Sequence, residues 1–366
     1  MIQNKIGTLA SVAVLALGLA ACGSSSKSSS SSTSSSSGAS GTISGAGSTF
    51  AAPVYEQWAS SLSPLTVNYQ AVGSGAGITA LETKTVDFGA SDPPLKPADE
   101  TAIAKNGSAA VQIPMFLGAI TVSYNLPGVA TGLKLEGKTI ADIYLGKIKT
   151  WNDAEIAALN PGVKLPSTAI TVIHRSDSSG TTSGFTSFLA EVDPEFKSKV
   201  GEGKDVPWPT GTGAKGNAGV AGAVQQTAGA VGYVEQAYAL THKFTYASVK
   251  NKSGSFVAPT LASTSAAGEG VTVPANLGIK VINSPTAAAY PIASQTFIIV
   301  NKDLCKAGTP GGESAAKGVV KFLEYGLGQG QSILSQADYA ALPSSILSKS
   351  KEAAAGLECN GAKIGG

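Results

Sequence analysis

Three short segments built mainly from small residues could together bind an anion. They read GAGSTF at residues 45–50, GSGAG at 73–77 and RSDSSGT at 175–181. We predict that each leads into a helix, and a helix N-terminus offers an anion unpaired N–H donors and a favourable dipole. Small residues also let the backbone approach a ligand closely.

Each segment alone is better explained as an ordinary helix N-cap. The first is not a complete dinucleotide fingerprint, because Phe50 stands where the third glycine is needed, and none of the three has the lysine of a phosphate loop. The third segment adds Arg175, whose planar guanidinium can bind two oxygens at once. Taken together, the segments favour an oxyanion site.

A carboxylate at Asp92 predicts which oxyanion such a site selects. Asp92 ends a predicted strand just before two prolines, at the kind of strand end where α/β proteins bind ligands. An ionised carboxylate only accepts hydrogen bonds, so an anion beside it must bring a proton. Hydrogen phosphate has that proton and sulfate does not, so Asp92 would admit phosphate and reject sulfate. The alternative is that Asp92 merely caps the turn before the prolines.

Alternating strands and helices must position these segments. Apolar periodicity predicts strands at 67–72, 86–90, 170–173, 231–234 and 296–300, and helices at 53–61, 76–83, 318–327 and 345–355, with a further helical face from 185 to 189. This alternation predicts an α/β fold. The chain of 366 residues is long enough for two lobes of ordinary domain size.

The N-terminal residues predict export and a lipid anchor. The apolar run at 9–21 has the length of a signal-peptide core and is too short for a membrane-spanning helix, so we expect a signal peptide at 1–21. The run ends at Cys22 in a sequence that resembles the lipobox of bacterial lipoproteins, where the cysteine carries fatty acids such as palmitate. The alternative is an ordinary signal peptide with a chance cysteine. Residues 24–40 are mostly serine, so we expect a flexible tether at 22–40.

Charge and cysteine content exclude several classes of function. The net charge of +2 gives no sign of a nucleic-acid partner. Cys305 and Cys359 form an even pair, which in an exported protein predicts a disulfide. His174 and His242 lack the spacing of metal ligands, so we expect neither a metal nor a cofactor.

Long stretches of the sequence resemble the periplasmic phosphate-binding proteins of bacterial high-affinity ABC phosphate importers. The resemblance extends from about residue 44 to about residue 347. It rests on segments in the family's order, which are 45–50 with 52–55, 73–75, 86–92, 143–148 with Trp151 and Asn152, 179–181, 213–219 and 229–238.

This resemblance implies a dehydrated phosphate held in a cleft. The positions that match the family's phosphate ligands are Ser48, Thr49, Phe50, Ser74, Asp92, Arg175, Ser179, Gly180 and Thr181. Asp177 matches a carboxylate that holds the arginine in place. Ser48 and Ser178 depart from the family's usual alanine and glycine, and neither change removes a donor.

The resemblance also implies a type II two-lobed α/β clamp, with the ligand cleft between lobes joined by two hinge crossings. We expect the crossings near 114–119 and 290–294. Lobe one would then comprise 41–116 plus 293–366, and lobe two 117–292. Such a protein is a lipid-anchored monomer that binds phosphate outside the cytoplasmic membrane and delivers it to the permease and ATPase of an ABC transporter.

Other functions remain as alternatives at this point. A binding protein for a different oxyanion would use the same donors. A phosphatase-like hydrolase needs an activated nucleophile or a metal, and neither histidine has an evident partner, so we do not expect an enzyme. A purely structural lipoprotein would show no change in melting temperature with any anion.

Overall fold

The structure is a computed structural model that describes residues 41–365. The predicted signal peptide, Cys22 and the serine-rich tether lie outside these described residues.

The strands are short apart from β4 and β12, which are buried along nearly their whole length. They are β1 Gly41–Gly47, β2 Leu65–Ala71, β3 Phe88–Ser91, β4 Ala110–Tyr124, β5 Lys134–Leu135, β6 Thr171–Arg175, β7 Thr212–Ala214, β8 Ala230–Glu235, β9 Thr245–Tyr246, β10 Ser248–Lys250, β11 Phe256–Val257, β12 Ala293–Asn301, β13 Glu358–Cys359 and β14 Ala362–Lys363.

The helices alternate with these strands along the chain. They are α1 Ala52–Ser60, α2 Ser74–Glu82, α3 Pro97–Ala104, α4 Gly137–Tyr144, α5 Ala154–Leu159, α6 Gly180–Val192, α7 Pro194–Lys199, α8 Gly216–Gln226, α9 Gln236–Thr241, α10 Leu261–Gly268, α11 Leu304–Ala307, α12 Gly312–Leu327, α13 Gln329–Ile333 and α14 Ser344–Ala355, with a 3-10 helix at Leu334–Ala337. In the part of the chain that the structure describes, no helix has both the length and the apolar character to cross a membrane.

A long mixed sheet forms the centre of the molecule. Its strand order is β2-β1-β3-β12-β4-β8-β6-β7, and β9 also pairs with β4. β1 is parallel to both β2 and β3, and α1 and α2 connect these strands. Because the carboxyl ends of parallel strands lie at one edge of a sheet, the segment after β1 and Asp92 after β3 come together there.

β4 belongs to both halves of this sheet. Its first part pairs with β12, from Ala110 opposite Asn301 to Ala119 opposite Ala293. From Ile120 to Tyr124 it pairs with β8 instead. The change of partner therefore lies at the carboxyl end of the predicted crossing at 114–119. The lobe boundaries themselves stay a prediction.

Each half of the sheet packs against its own group of aromatic residues. On the first half, Tyr55 and Trp58 of α1 meet Phe116 edge-on, with ring centroids 5.7 and 5.6 Å away. On the second half, Phe185 of α6 stacks on Tyr233 of β8 with centroids 4.4 Å apart. All of these rings are fully buried. They fix α1 and α6, the helices that follow two of the three segments predicted to bind an anion.

The structure confirms the α/β fold class and the disulfide between Cys305 and Cys359. The predicted helix at 53–61 is α1, Ala52–Ser60. The strand predicted at 86–90 instead begins at Phe88. Just before β3, the Asp87 backbone N–H donates to the Ser44 carbonyl at 2.9 Å, and the Asp87 carboxylate accepts the Ser44 N–H at 2.6 Å.

Candidate anion-binding site

The predicted segments meet where α6 begins. A Cβ built on Gly180 would lie 2.2 Å from Asp92 Oδ2 and 2.3 Å from Ser74 Oγ, so only glycine fits against these groups. Beside this contact, the Gly75 N–H donates to the Ser178 carbonyl at 3.0 Å. The N-termini of α2 and α6 and the end of β3 therefore form one cluster.

The first segment turns sharply between β1 and α1. Gly47 has a φ of +144°, and a Cβ there would lie 2.0 Å from the Ala90 carbonyl oxygen, so a side chain is excluded. The segment that follows is buried, and Tyr339 Oη donates to the Phe50 carbonyl at 2.6 Å. Within the described chain, the N–H groups of Thr49 and Phe50 make no hydrogen bond to backbone, so both are free to donate to a ligand.

Asp92 belongs to this cluster and is buried, with 1 % of its surface exposed. Its Oδ1 accepts from Ser48 Oγ at 2.5 Å and from Thr296 Oγ1 at 2.9 Å. Its Oδ2 accepts from Ser74 Oγ at 3.3 Å. Burial raises the pKa of Asp92 to about 6, although these hydrogen bonds and the Arg175 charge oppose the rise. The carboxyl group is therefore mostly ionised at neutral pH but takes up a proton at a higher pH than an ordinary aspartate does.

Arg175 is held by a two-point ion pair. Its Nε and Nη2 donate to the two oxygens of Asp177 at 2.7 and 2.5 Å. Burial acts to raise the pKa of Asp177, but the hydrogen bonds and charge of Arg175 outweigh it and the pKa is lower than usual. The remaining nitrogen, Nη1, donates to Thr181 Oγ1 at 3.2 Å. The arginine is 4 % exposed and points at the start of α6.

The start of α6 supplies donors to the same cluster. Ser179 is its N-cap, and the Ser179 hydroxyl accepts from Thr182 N at 3.0 Å. The Ser179 N–H already donates to the Lys204 carbonyl at 3.0 Å. The N–H groups of Gly180 and Thr181 come next, and the first N–H groups of a helix have no acceptor within it. These two are the donors that the helix offers to a ligand.

Ser48 is one of the predicted ligands, and its hydroxyl makes hydrogen bonds within the protein. Its hydroxyl proton goes to Asp92, while its oxygen accepts from Ala51 N at 3.1 Å. In this arrangement Ser48 supports the carboxylate and the start of α1. It is close to the cluster but does not direct a donor into it.

Sequence reasoning missed Thr296 and Asn217. Thr296 lies in the apolar strand β12, where a threonine is an ordinary β-former, so nothing in the local pattern marks it. Asn217 lies in the segment 213–219, which was part of the resemblance but had no assigned role. The signal that could have found it is a fourth small-residue loop, AKGN, between a strand and a helix.

Two other features of the described residues bear on the chemistry. No group of three or more His, Cys, Asp or Glu side chains among residues 41–365 could hold a metal ion.

A groove of about 560 Å³ lies next to the cluster. Its lining includes Pro93, Ser183, Lys280 and Gln295 but none of the predicted ligands.

Comparisons with known proteins place the chain in a family. A model of the PBP superfamily domain matches residues 32–327. The phosphate-binding protein PstS of Pasteurella multocida is 42% identical, over 84% of this chain and 88% of that protein. The protein of the same name from Haemophilus influenzae is 41% identical, over 85% of this chain and 91% of that protein.

Solved structures agree on the fold. A phosphate-binding protein from Stenotrophomonas maltophilia superposes with a TM-score of 0.70 at 22% identity, covering 88% of this chain and 99% of that chain. This likeness confirms the expected two-lobed type II α/β clamp. By the family model and the two relatives, the chain belongs to the PBP superfamily and, within it, to the family of phosphate-binding proteins PstS.

Proposed function

We propose that the chain binds inorganic phosphate outside the cytoplasmic membrane and delivers it to an ABC transporter. The observation that carries this proposal is a buried carboxylate, Asp92, placed against hydrogen-bond donors and an arginine that otherwise suit an anion. A neutral or cationic ligand would have no use for the donors. An anion without a proton would face Asp92 unfavourably.

The proposed ligands are the groups that converge in the cluster. They are the N–H groups of Thr49, Phe50, Gly180 and Thr181, the hydroxyls of Thr49, Ser179 and Thr181, the Arg175 guanidinium and the Asp92 carboxylate. The Ser74 hydroxyl would join them by turning away from Asp92, to which it donates over a long 3.3 Å, against 2.5 Å for Ser48. Ser48 supports Asp92, and Asp177 positions Arg175. Because Asp177 neutralises Arg175, the cluster has no excess of positive charge. Phosphate is therefore held mainly by oriented dipoles in a buried site, where each of them acts strongly.

Asp92 gives the site its selectivity. With a pKa of about 6, the carboxyl is mostly ionised above neutral pH and accepts the proton of hydrogen phosphate. Sulfate has no proton there, so its oxygen would lie against a buried carboxylate. Leaving such a charge unpaired is costly, and this cost is what excludes sulfate.

The two halves of the chain contribute different ligands. Thr49, Phe50, Ser74 and Asp92 lie in 41–116, and Arg175 and 179–181 lie in 117–292. We place the hinges close to residues 119–120 and 292–293, where β4 changes partner and β12 begins. Phosphate would bridge the two lobes, so binding would favour the closed clamp.

Export and anchoring complete the proposal. Cys22 would carry the lipid and 22–40 would tether a monomeric body to the outer face of the membrane, within reach of the permease. The relatives are named as phosphate-binding proteins, and one neighbour of the same fold, from Clostridium perfringens, is described as a putative phosphate ABC transporter substrate-binding protein with bound phosphate. A hydrolase is not favoured, because His174 stacks on Trp208 with ring centroids 5.2 Å apart instead of facing a serine.

Calorimetric titration of the ligand-stripped protein tests this function. We expect phosphate to bind in a 1:1 ratio, arsenate to compete with it because arsenate also carries a proton, and sulfate to bind at least a hundredfold more weakly. Equal affinity for phosphate and sulfate, or no binding of either, would overturn the proposal.

A further inference from the structure

Asn217 connects the two threonines of the site. It is the second residue of α8 and is fully buried. Its partners are remote in sequence, since Thr49 follows β1 and Thr181 lies in the first turn of α6. The two threonines belong to different halves of the chain, so Asn217 bonds to both sides of the clamp at once.

The backbone N–H and both side-chain polar atoms of Asn217 make hydrogen bonds. Its backbone N–H donates to Thr49 Oγ1 at 3.2 Å. Its Nδ2 donates to Thr49 Oγ1 at 2.9 Å and to Thr181 Oγ1 at 3.1 Å. Its Oδ1 accepts from the Glu235 N–H at 2.9 Å. Because a backbone N–H can only donate, this last bond fixes which end of the amide faces the threonines.

This arrangement decides how the two hydroxyls can be used. A hydroxyl has two lone pairs and one proton. Thr49 Oγ1 accepts two hydrogen bonds, both from Asn217. Thr181 Oγ1 also accepts two, one from Asn217 and one from Arg175 Nη1 at 3.2 Å. With both lone pairs engaged, each hydroxyl can only donate, and within the described residues neither proton goes to a protein acceptor.

Ser48 shows the opposite case in the same cluster. Its proton is committed to Asp92, so it has no donor left for a ligand. A hydroxyl becomes useful to an anion only when its surroundings supply donors, as Asn217 and Arg175 do for the threonines.

Building on the proposed phosphate site, we propose that Asn217 is a positioning residue that makes Thr49 and Thr181 obligate donors to the bound anion. It would not touch phosphate itself. Its effect would reach the ligand entirely through the two hydroxyls, and it would favour binding by orienting them before phosphate arrives.

A double-mutant cycle tests this role. Phosphate affinity is measured by calorimetry for the wild type, Asn217→Ala, the double variant Thr49→Val/Thr181→Val, and the triple variant. We expect Asn217→Ala to weaken phosphate binding about tenfold or more in the wild type, since it removes the orientation of two hydrogen bonds to a charged ligand. In the valine background, which has no hydroxyls to orient, the same substitution should cost less than about threefold. Equal losses in both backgrounds would overturn the proposal, because they would mean that Asn217 acts through the fold alone.

A second variant covers the case in which Asn217→Ala does not fold. Asn217→Asp has nearly the same shape, but its carboxylate can only accept. It would take the protons of both threonines and turn them away from the ligand. We therefore expect Asn217→Asp to cost more affinity in the wild type than in the Thr49→Val/Thr181→Val background, a comparison in which the repulsion between the new charge and the anion cancels. Wild-type affinity in Asn217→Asp would overturn the proposal. Failure of the wild type to bind phosphate would instead overturn the function on which the proposal rests.

Discussion

Asp92 is subject to two opposing effects whose balance determines its chemistry. Burial favours the neutral acid, while three hydroxyl donors and Arg175 favour the carboxylate. Burial has the greater effect and brings the pKa to about 6. A carboxyl with this pKa is mostly ionised at pH 7, but it is a stronger base and a stronger hydrogen-bond acceptor than an ordinary surface aspartate.

This pKa makes stability depend on pH with a definite sign. Because the pKa rises from 3.8 to about 6 on folding, the folded protein binds more protons than the unfolded chain between these values. The stabilisation is fully present below pH 3.8 and is lost as the pH rises through 6. It amounts to roughly 3 kcal/mol.

Urea denaturation without phosphate measures the effect. The free energy of unfolding of Asp92→Asn, minus that of the wild type, should increase by roughly 2.4 kcal/mol between pH 4 and pH 7. The subtraction cancels groups that titrate alike in both proteins. A difference that stays constant with pH would show that the Asp92 pKa is not raised.

The site residues that could be predicted from the sequence carry a charge or stand at a recognisable helix start. Arg175 and Asp92 carry charges, and the residues at 179–181 stand at a predictable helix start. Asn217 and Thr296 were missed because an uncharged side chain shows its role only through its partners. The hydrogen-bond partners of Asn217 lie 168 and 36 residues away in sequence, and a local sequence pattern cannot indicate contacts over such separations.

At the scale of elements, helix N-termini position the site more than any single side chain does. The starts of α2 and α6 were predictable within a few residues because each follows a glycine-containing loop after a strand. The double pairing of β4 was not predictable, since an apolar run of 15 residues does not reveal where its partner changes. The position at which β4 changes partner depends on where β12 ends its pairing and β8 begins, and both strands are remote from β4 in sequence.

Substitution of Gly180 tests how closely the start of α6 must approach Asp92 and Ser74 for phosphate to bind. In Gly180→Ala the new methyl group would overlap Asp92 Oδ2 and Ser74 Oγ, so α6 must move away from the site. We expect phosphate affinity to fall by about a hundredfold, because a small displacement weakens several donors together. The control is Gly222→Ala in α8, where a Cβ meets nothing within 4 Å and affinity should not change. Equal affinity of the two variants, measured by calorimetry, would show that α6 does not contact the ligand.

At the scale of the whole molecule, stability and binding depend on different places. The Cys305–Cys359 disulfide links α11 to β13, near the C-terminus and away from the predicted ligands. It closes a loop with a sequence separation of 54. This bond was predictable from the sequence because Cys22 was assigned to the lipid anchor, which leaves Cys305 and Cys359 as an even pair in an exported protein.

Removal of the disulfide should therefore affect only stability. We expect Cys305→Ser/Cys359→Ser to lower the free energy of unfolding by about 4 kcal/mol on the chain-entropy model. The phosphate dissociation constant should stay within twofold of the wild type. Thermal denaturation and calorimetry on the same samples measure both quantities. A large loss of affinity in a folded double variant would mean that the disulfide also positions the site.

The proposed role of Asp92 as the acceptor of the phosphate proton is tested directly by competition titration of phosphate and sulfate at pH 8. Asp92→Asn keeps the shape of the side chain, removes its charge and adds an amide donor. Sulfate should bind more tightly and phosphate somewhat more weakly, so the preference for phosphate should shrink at least tenfold, or about 1.4 kcal/mol. Asp193→Asn, at a buried helix cap remote from the site, is the control and should leave the preference unchanged. An equally unchanged preference in Asp92→Asn would contradict the account.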